Sequence, residues 1–269
     1  MDKKRIIVNG ALGRMGKTIC KMVIKEPNFN LVGAVDVVEK GKDLFKFLNV
    51  KSEKELYITD DIVQEINDKK ADIVIDFTNP EVVMDNIKKV LNTKTHMVVG
   101  TTGFDQSDLK QVREWSKAND TSIMIAPNFA LGAVMMMEFS KKAAQFFDQA
   151  EIIELHHDGK MDAPSGTAVK TAEMIAENRD KPKEKANRKF IEKLKGARGA
   201  DFDDIHIHSV RLQGLVAHQE VIFGGEGQTL KIRHDSIDRQ SFMPGIKLAV
   251  NKIEELDGLV YGLDEIMDI

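Results

Sequence analysis

The stretch Arg5-Ile6-Ile7-Val8-Asn9-Gly10-Ala11-Leu12-Gly13-Arg14-Met15-Gly16 runs from an apolar segment of strand length into a turn punctuated by three glycines. Residues Met15 to Lys25 then carry apolar side chains at helical spacing. A strand feeding a glycine-rich turn and a helix is one β-α unit, and the first half of the chain repeats it. Strands are predicted at Arg5 to Asn9, Leu31 to Asp36, Asp72 to Phe77, His96 to Val99 and Ser122 to Ala126, with helices at Met15 to Lys25, Ile62 to Lys69, Glu81 to Leu91 and Gln106 to Lys117. Such alternation predicts an α/β fold, a doubly wound parallel sheet with right-handed crossovers.

The turn itself reads Gly10-Ala11-Leu12-Gly13-Arg14-Met15-Gly16, a G-x-x-G-x-x-G spacing rather than the standard G-x-G-x-x-G. The physical logic survives the change. Glycines at the end of a first strand let a pyrophosphate approach the backbone, and the helix that follows offers free N–H groups and a positive dipole end. Asp36 closes the second strand about 20 residues on, where an acidic side chain accepts hydrogen bonds from an adenosine ribose. Gly100-Thr101-Thr102-Gly103, Ala126-Pro127-Asn128-Phe129 and Phe77-Thr78-Asn79-Pro80 also lie at the C-terminal ends of predicted parallel strands, the edge where open α/β sheets bind ligands. Together they predict a dinucleotide crevice.

The pattern changes after Asn128. A helix is predicted from Leu131 to Phe147, with its Met135-Met136-Met137 run read as packing, then a strand from Ala150 to Leu155 and a helix from Thr167 to Asn178. The polar stretch from Asn178 to Ala200 reads as a mobile loop with one short helix, its charges a solvated surface, with a lid beside an active site as the alternative. Strands at Ile205 to Leu212, Leu215 to Phe223 and Gln228 to His234 are joined by short Gly-containing turns and predict an antiparallel meander. A final helix from about Arg239 is expected to return to the first domain. The expected domains are 1–129 with 239–269, and 130–238, the latter an α+β unit with a mixed or antiparallel sheet.

Between that second-half strand and helix lies Glu154-Leu155-His156-His157-Asp158-Gly159-Lys160-Met161-Asp162-Ala163-Pro164-Ser165-Gly166-Thr167-Ala168. Ser165, Gly166 and Thr167 open a helix, whose unpaired N–H groups can receive a carboxylate or phosphate. His156, His157 and Lys160 stand beside them as sources of protons or positive charge, histidine being suited to acid–base work near neutral pH. The remaining histidines, His96, His206, His208, His218 and His234, lack a partnered ligand set, so no metal site is expected.

Composition bounds the rest. A chain of 269 residues with 42% hydrophobic content can bury a sizeable core, and no apolar run reaches the ~20 residues of a membrane span. A net charge of -4 and a pI near 6.0 argue against a nucleic-acid partner. The single cysteine, Cys20, reads as a core residue and fits a reducing, cytoplasmic setting.

These residues resemble one family over nearly the whole chain, the dihydrodipicolinate (4-hydroxy-tetrahydrodipicolinate) reductases. The run from Glu154 to Ala168 matches the family signature E-x-H-H-x-x-K-x-D-A-P-S-G-T-A at every fixed position. Gly10 to Gly16, Asp76-Phe77-Thr78, Gly100 to Gly103, Asn128-Phe129, and Arg239 with Phe242 add support. The resemblance implies a Rossmann-like domain and a substrate and assembly domain. It implies NAD(P)H-dependent reduction of 4-hydroxy-tetrahydrodipicolinate in the diaminopimelate route to lysine. It assigns proton transfer to His156, a second proton donor to Lys160, and the substrate carboxylates to His157 with Ser165, Gly166 and Thr167. Gly10 to Met15, Asp36, Gly100 to Thr102 and Ala126 to Phe129 would hold the cofactor, with hydride crossing a cleft between domains, and the meander would join a homotetramer. Asp36, Val37 and Asn79 lean toward NADH, while Lys40 and Lys42 leave NADPH open. Two rivals are a related nicotinamide-dependent dehydrogenase of another small carbonyl compound and a dinucleotide sensor without catalysis. A thioester-forming dehydrogenase needs a reactive cysteine, a role for which Cys20 is badly placed.

Overall fold

The computed structural model describes residues 2–180 and 191–269. The chain divides into two compact units, Met1–Phe129 with Phe242–Asp268, and Ala130–Ser241. The first unit contains β1 (Lys4–Asn9), α1 (Arg14–Lys25), β2 (Phe29–Val35), α2 (Leu44–Phe47), α3 (Ile62–Lys69), β3 (Ile73–Asp76), α4 (Val83–Asn92), β4 (His96–Val99), α5 (Gln106–Asn119) and β5 (Ile123–Ile125). In the second unit lie α6 (Leu131–Ala144), β6 (Gln149–His156), α7 (Gly166–Asn178), β7 (Ala200–Phe202), β8 (Ile205–Arg211), β9 (Ala217–Gly225) and β10 (Gln228–Ser236). The chain then re-enters the first unit as α8 (Met243–Lys252) and β11 (Leu259–Tyr261).

The first sheet has the strand order β11-β5-β4-β3-β1-β2, and every neighbouring pair is parallel. Its strands read as continuous apolar runs because both faces are covered: Ile6, Ile7, Ile73, Val74, Ile75, Met97 and Val98 are fully buried. One side packs Val83, Ile87, Val90, Leu109 and Val112 from α4 and α5 onto the sheet. The order reverses at β1, which runs between β2 and β3, and the C-terminal ends of β1 and β3 form the switch point where such sheets bind ligands. The sequence reading missed β11. At three residues it is too short to show a period, yet it pairs in parallel with β5 from Leu259↔Ile123 to Tyr261↔Ile125.

The second sheet is mixed, with the order β10-β9-β6-β8-β7. This corrects the expected meander. The β9–β10 hairpin forms, but β8 and β9 do not pair; β6 lies between them, parallel to β8 and antiparallel to β9. A parallel β6–β8 pair requires a crossover, which α7 supplies. Gln213-Gly214, expected as a hairpin turn, instead lies in a five-residue link, 212–216, that steps over the end of β6, where the Leu212 N–H donates to the His156 carbonyl at 3.0 Å. One sheet face packs Ile152, Ile207, Val221 and Phe223 against Met136, Ala168, Ala172 and Ile175 of α6 and α7. The methionine run divides accordingly: Met136 and Met137 pack on the core, whereas Met135 is exposed. Residues 181–190 of the stretch expected as a loop with one short helix lie outside the described residues, and the described residues 191–199 form no helix.

Candidate active site

The glycine turn is shaped by close backbone approach. Gly10 has φ +74, and a Cβ there would stand 2.6 Å from the Phe77 carbonyl oxygen. At Gly16 a Cβ would fall 2.0 Å from the Gly10 carbonyl oxygen, so α1 can sit against the end of β1 only with glycine there. Gly13 caps α1 without a side-chain hydrogen bond, and no acidic residue occupies the first turn. The N–H groups of Arg14, Met15 and Gly16 have no partner among the described residues. A twelve-residue helix with an open, positive N-terminus has the chemistry to hold a phosphate.

Asp36 braces this turn, accepting hydrogen bonds from Leu12 N at 2.8 Å and Val38 N at 3.2 Å. A carboxylate has about four lone-pair sites, so capacity for a ribose hydroxyl remains. A cleft of about 1100 Å³ opens here, bounded by Gly10, Leu12, Gly13, Asp36, Thr78 and Asn79 among others. The other expected cofactor residues are placed differently. Ala11, Ala126 and Phe129 are buried, Arg14, Thr102 and Pro127 are exposed, and Met15 and Asn128 are partly covered. Gly100 lies against the Phe77 ring, which meets that of Phe129 at 5.8 Å between centroids. Thr101 turns its hydroxyl inward, 3.1 Å from Asp76 Oδ1.

Asp76 was quoted only as part of a motif, yet it ties these loops together. Fully buried, it accepts from Asn9 Nδ2 at 2.7 Å, Thr78 Oγ1 at 2.7 Å, Asn86 Nδ2 at 3.0 Å and Thr101 Oγ1. Burial raises its pKa against the pull of the bonds from Thr78, Asn9 and Thr101. One carboxyl group thus fixes the ends of β1, β3 and β4. A carboxylate burdened with this many internal partners is scaffolding, and sequence alone offered no sign of them.

In the second unit, strand periodicity puts Glu154 and His156 of β6 on one face, and the register sets Ser209 and Arg211 of β8 beside them. Glu154 is fully buried and its Oε2 meets His156 Nδ1. Arg211 grips the same carboxylate through both terminal nitrogens, each at 2.8 Å, and donates through Nη2 to the Asp162 carbonyl at 2.6 Å. Ser165 N donates to Glu154 Oε1 at 3.2 Å, while Ser165 Oγ caps α7 by accepting from Ala168 N at 3.3 Å. The chain bends to this capped start through a cis Ala163–Pro164 bond. The N–H groups of Gly166 and Thr167 have no partner among the described residues, and the space over Gly166 is open. Lys160 Nζ is held by both oxygens of Asp162, at 2.7 and 2.8 Å. His157 is exposed, with no polar contact for its ring among the described residues.

Burial raises the Glu154 pKa, but hydrogen bonds from Arg211, Ser209 and His156 outweigh it and hold the carboxyl below its ordinary range. Burial lowers the His156 pKa; Glu154 opposes that, Lys160 and Arg211 add to it, and the net direction is down. In the first unit, burial pushes the Cys20 thiol up to about 12, so it carries no thiolate near neutral pH and cannot act as a nucleophile. Glu154 and Arg211 are side chains bonded into this cluster that sequence reading did not single out. The spacing of Glu154 and His156 on one strand face was visible; the partner on β8 was not.

Two family models match, the N-terminal part of dihydrodipicolinate reductase over residues 4–129 and its C-terminal part over residues 132–267. The 4-hydroxy-tetrahydrodipicolinate reductase of Listeria welshimeri is 48% identical over 264 residues, covering 98% of this chain and 100% of that protein. A dipicolinate-bound dihydrodipicolinate reductase from Paenisporosarcina sp. TG-14 superposes with a TM-score of 0.88 at 43% identity, over 98% of this chain and 100% of the other. An amine dehydrogenase from Mycobacterium smegmatis shares the fold alone, at TM-score 0.68 and 12% identity over 96% of this chain and 94% of its own. With matches of this strength along both units, the chain belongs to the dihydrodipicolinate reductase family.

Proposed function

We propose that the protein reduces 4-hydroxy-tetrahydrodipicolinate to tetrahydrodipicolinate, its first unit holding a nicotinamide dinucleotide and its second holding the substrate and managing protons. The observation that carries this reading is the single carboxylate of Glu154, which meets both the His156 imidazole and the Ser165 N–H that begins the open end of α7. A proton source and an anion seat are thereby built as one piece. The dipicolinate held by the Paenisporosarcina reductase is a ring dicarboxylate, the class of ligand this seat suits.

The open start of α1 and the close-packed Gly10 and Gly16 fit a pyrophosphate that no side chain could accommodate. Loss of the 4-hydroxyl as water leaves an electron-poor C=C–C=N system in the ring, and a reduced nicotinamide, when bound, would supply the hydride that adds to it while a proton is delivered to the neighbouring ring carbon. Gly166 N and Thr167 N, with His157, receive the substrate carboxylates. Lys160 exchanges Asp162 for substrate charge and acts as the second donor. Two carboxylates arriving beside His156 favour its charged form, so the imidazole takes up a proton as substrate binds and releases it as charge develops on the ring. His156 therefore rests neutral without ligand near neutral pH and is charged on demand.

The cleft favours NADH. Asp36, Asp60, Asp61 and Asp85 line it with Lys89 as counterweight. Lys40 is paired with Asp60 at 2.6 Å and Lys42 with Glu39, so neither stands free for a 2′-phosphate. An added phosphate near a carboxylate costs about 1 kcal/mol or more in this setting, and kcat/KM is expected to favour NADH over NADPH roughly tenfold. Steady-state oxidation of both cofactors, with substrate generated by the preceding synthase, tests both points. Absence of oxidation would refute the activity, and a preference for NADPH would refute the reading of the cleft.

The sheet face of the second unit opposite α6 and α7 carries Ile153, Leu155, Val210 and Ile222, each partly exposed. The family resemblance assigns assembly to this sheet, and the reading is a homotetramer joined there. Light scattering should give a mass four times the 30.2 kDa of one chain; a monomer mass at assay concentrations contradicts it.

A further inference from the structure

We infer that Glu154, held by Arg211, is a positioning residue that fixes the tautomer and direction of His156 and locks the imidazole to the anion seat of α7. The inference rests on the proton-transfer role proposed for His156. Its starting point is hydrogen-bond supply. A carboxylate held ionised can only accept, so the nitrogen of His156 that faces it, Nδ1, must carry a proton. In the neutral ring Nε2 is then a bare acceptor, and on protonation it becomes the atom that can hand a proton outward.

Arg211 makes this arrangement obligatory. Its two nitrogens occupy Glu154 Oε1 and Oε2 in the bidentate manner that best stabilises a buried carboxylate, and Ser165 N takes a further site on Oε1. A protonated Glu154 would forfeit these bonds. The carboxylate therefore cannot accept the proton of His156, and its charge instead supports the imidazolium. The charged groups acting on His156 are Glu154 on its own strand, Lys160 on the loop and Arg211 on β8, with Asp162 paired to Lys160; Glu154 raises its pKa, while Lys160 and Arg211 lower it. Because Ser165 N shares Oε1, any movement of Glu154 also shifts the start of α7. Proton source and carboxylate seat stay in register.

Two measurements test this. In wild-type protein, long-range proton–nitrogen NMR of His156 above its pKa should show the Nδ1–H tautomer; the Nε2–H tautomer would overturn the inference without recourse to any variant. Glu154→Gln keeps the shape, removes the charge and can donate to Nδ1. It should lower kcat at least tenfold and at most by the roughly 10⁴-fold that general acid catalysis supplies, with substrate KM changed far less. Its kcat/KM profile should lose activity at lower pH than wild type, since the support for the imidazolium is gone. Unchanged kcat and an unmoved profile would overturn the inference. His156→Gln, assayed alongside, separates the two readings: if it loses turnover while Glu154→Gln does not, only the positioning role fails, and if His156→Gln itself retains full turnover, both fail.

Discussion

His156→Gln is expected to lower kcat by roughly 10²- to 10⁴-fold while substrate KM stays within a few-fold of wild type. The asymmetry follows from where the groups sit. On the proposed reading the substrate carboxylates are received by the backbone N–H groups of Gly166 and Thr167 together with His157, none of which the substitution touches. What disappears is the group proposed to change protonation state during the reaction. Glutamine can still bond to Glu154 and preserve the local fold, so thermal stability should change little. Steady-state kinetics over a range of substrate concentrations checks the split. A rise in KM with unchanged kcat would move His156 from proton transfer to binding.

The second large effect lies in the nucleotide turn. Gly16→Ala places a methyl group 2.0 Å from the Gly10 carbonyl oxygen and 2.8 Å from the Ala11 carbonyl carbon, both backbone atoms that cannot swing aside. α1 must lift from β1, and the open N–H groups at its start move with it. Overpacking of this kind costs about 1 to 3 kcal/mol, and for a unit of this size that is a fall in Tm of roughly 3 to 10 °C. Affinity for reduced dinucleotide should fall at least tenfold, read by fluorescence titration. Gly13→Ala is the control, because its Cβ would meet the same oxygen only at 3.2 Å and its backbone, at φ -63, suits alanine. If Gly16→Ala melts and binds as Gly13→Ala does, close packing of α1 does not govern the site.

These two sites differ in how far the sequence disclosed them. The nucleotide turn was legible because its determinants are local: glycines, a strand and a helix within a dozen residues. Asp36 was legible as the end of the next strand, although its bond to Leu12 N was not. The order of the second sheet was not legible, because a Gly-containing link of five residues can close a hairpin or step over one strand, and only the crossover through α7 decides. Glu154 and Arg211 lie 57 positions apart and meet through strand register, which no local spacing encodes. Asp76 likewise gathers donors from Asn9, Asn86 and Thr101, and its burial becomes visible only once three strands are side by side. Buried carboxylates at the ends of strands were the hidden part of both sites.

On the proposed reading, hydride passes from a reduced nicotinamide to the ring that 4-hydroxy-tetrahydrodipicolinate becomes on losing water. The most direct test supplies NADH deuterated at the transferring carbon together with freshly generated substrate, followed by mass spectrometry of the product. Tetrahydrodipicolinate carrying a single carbon-bound deuterium, formed in step with oxidation of the cofactor, is the predicted result. Cofactor oxidation without deuterium in the product, or no reaction in the presence of substrate, would contradict it.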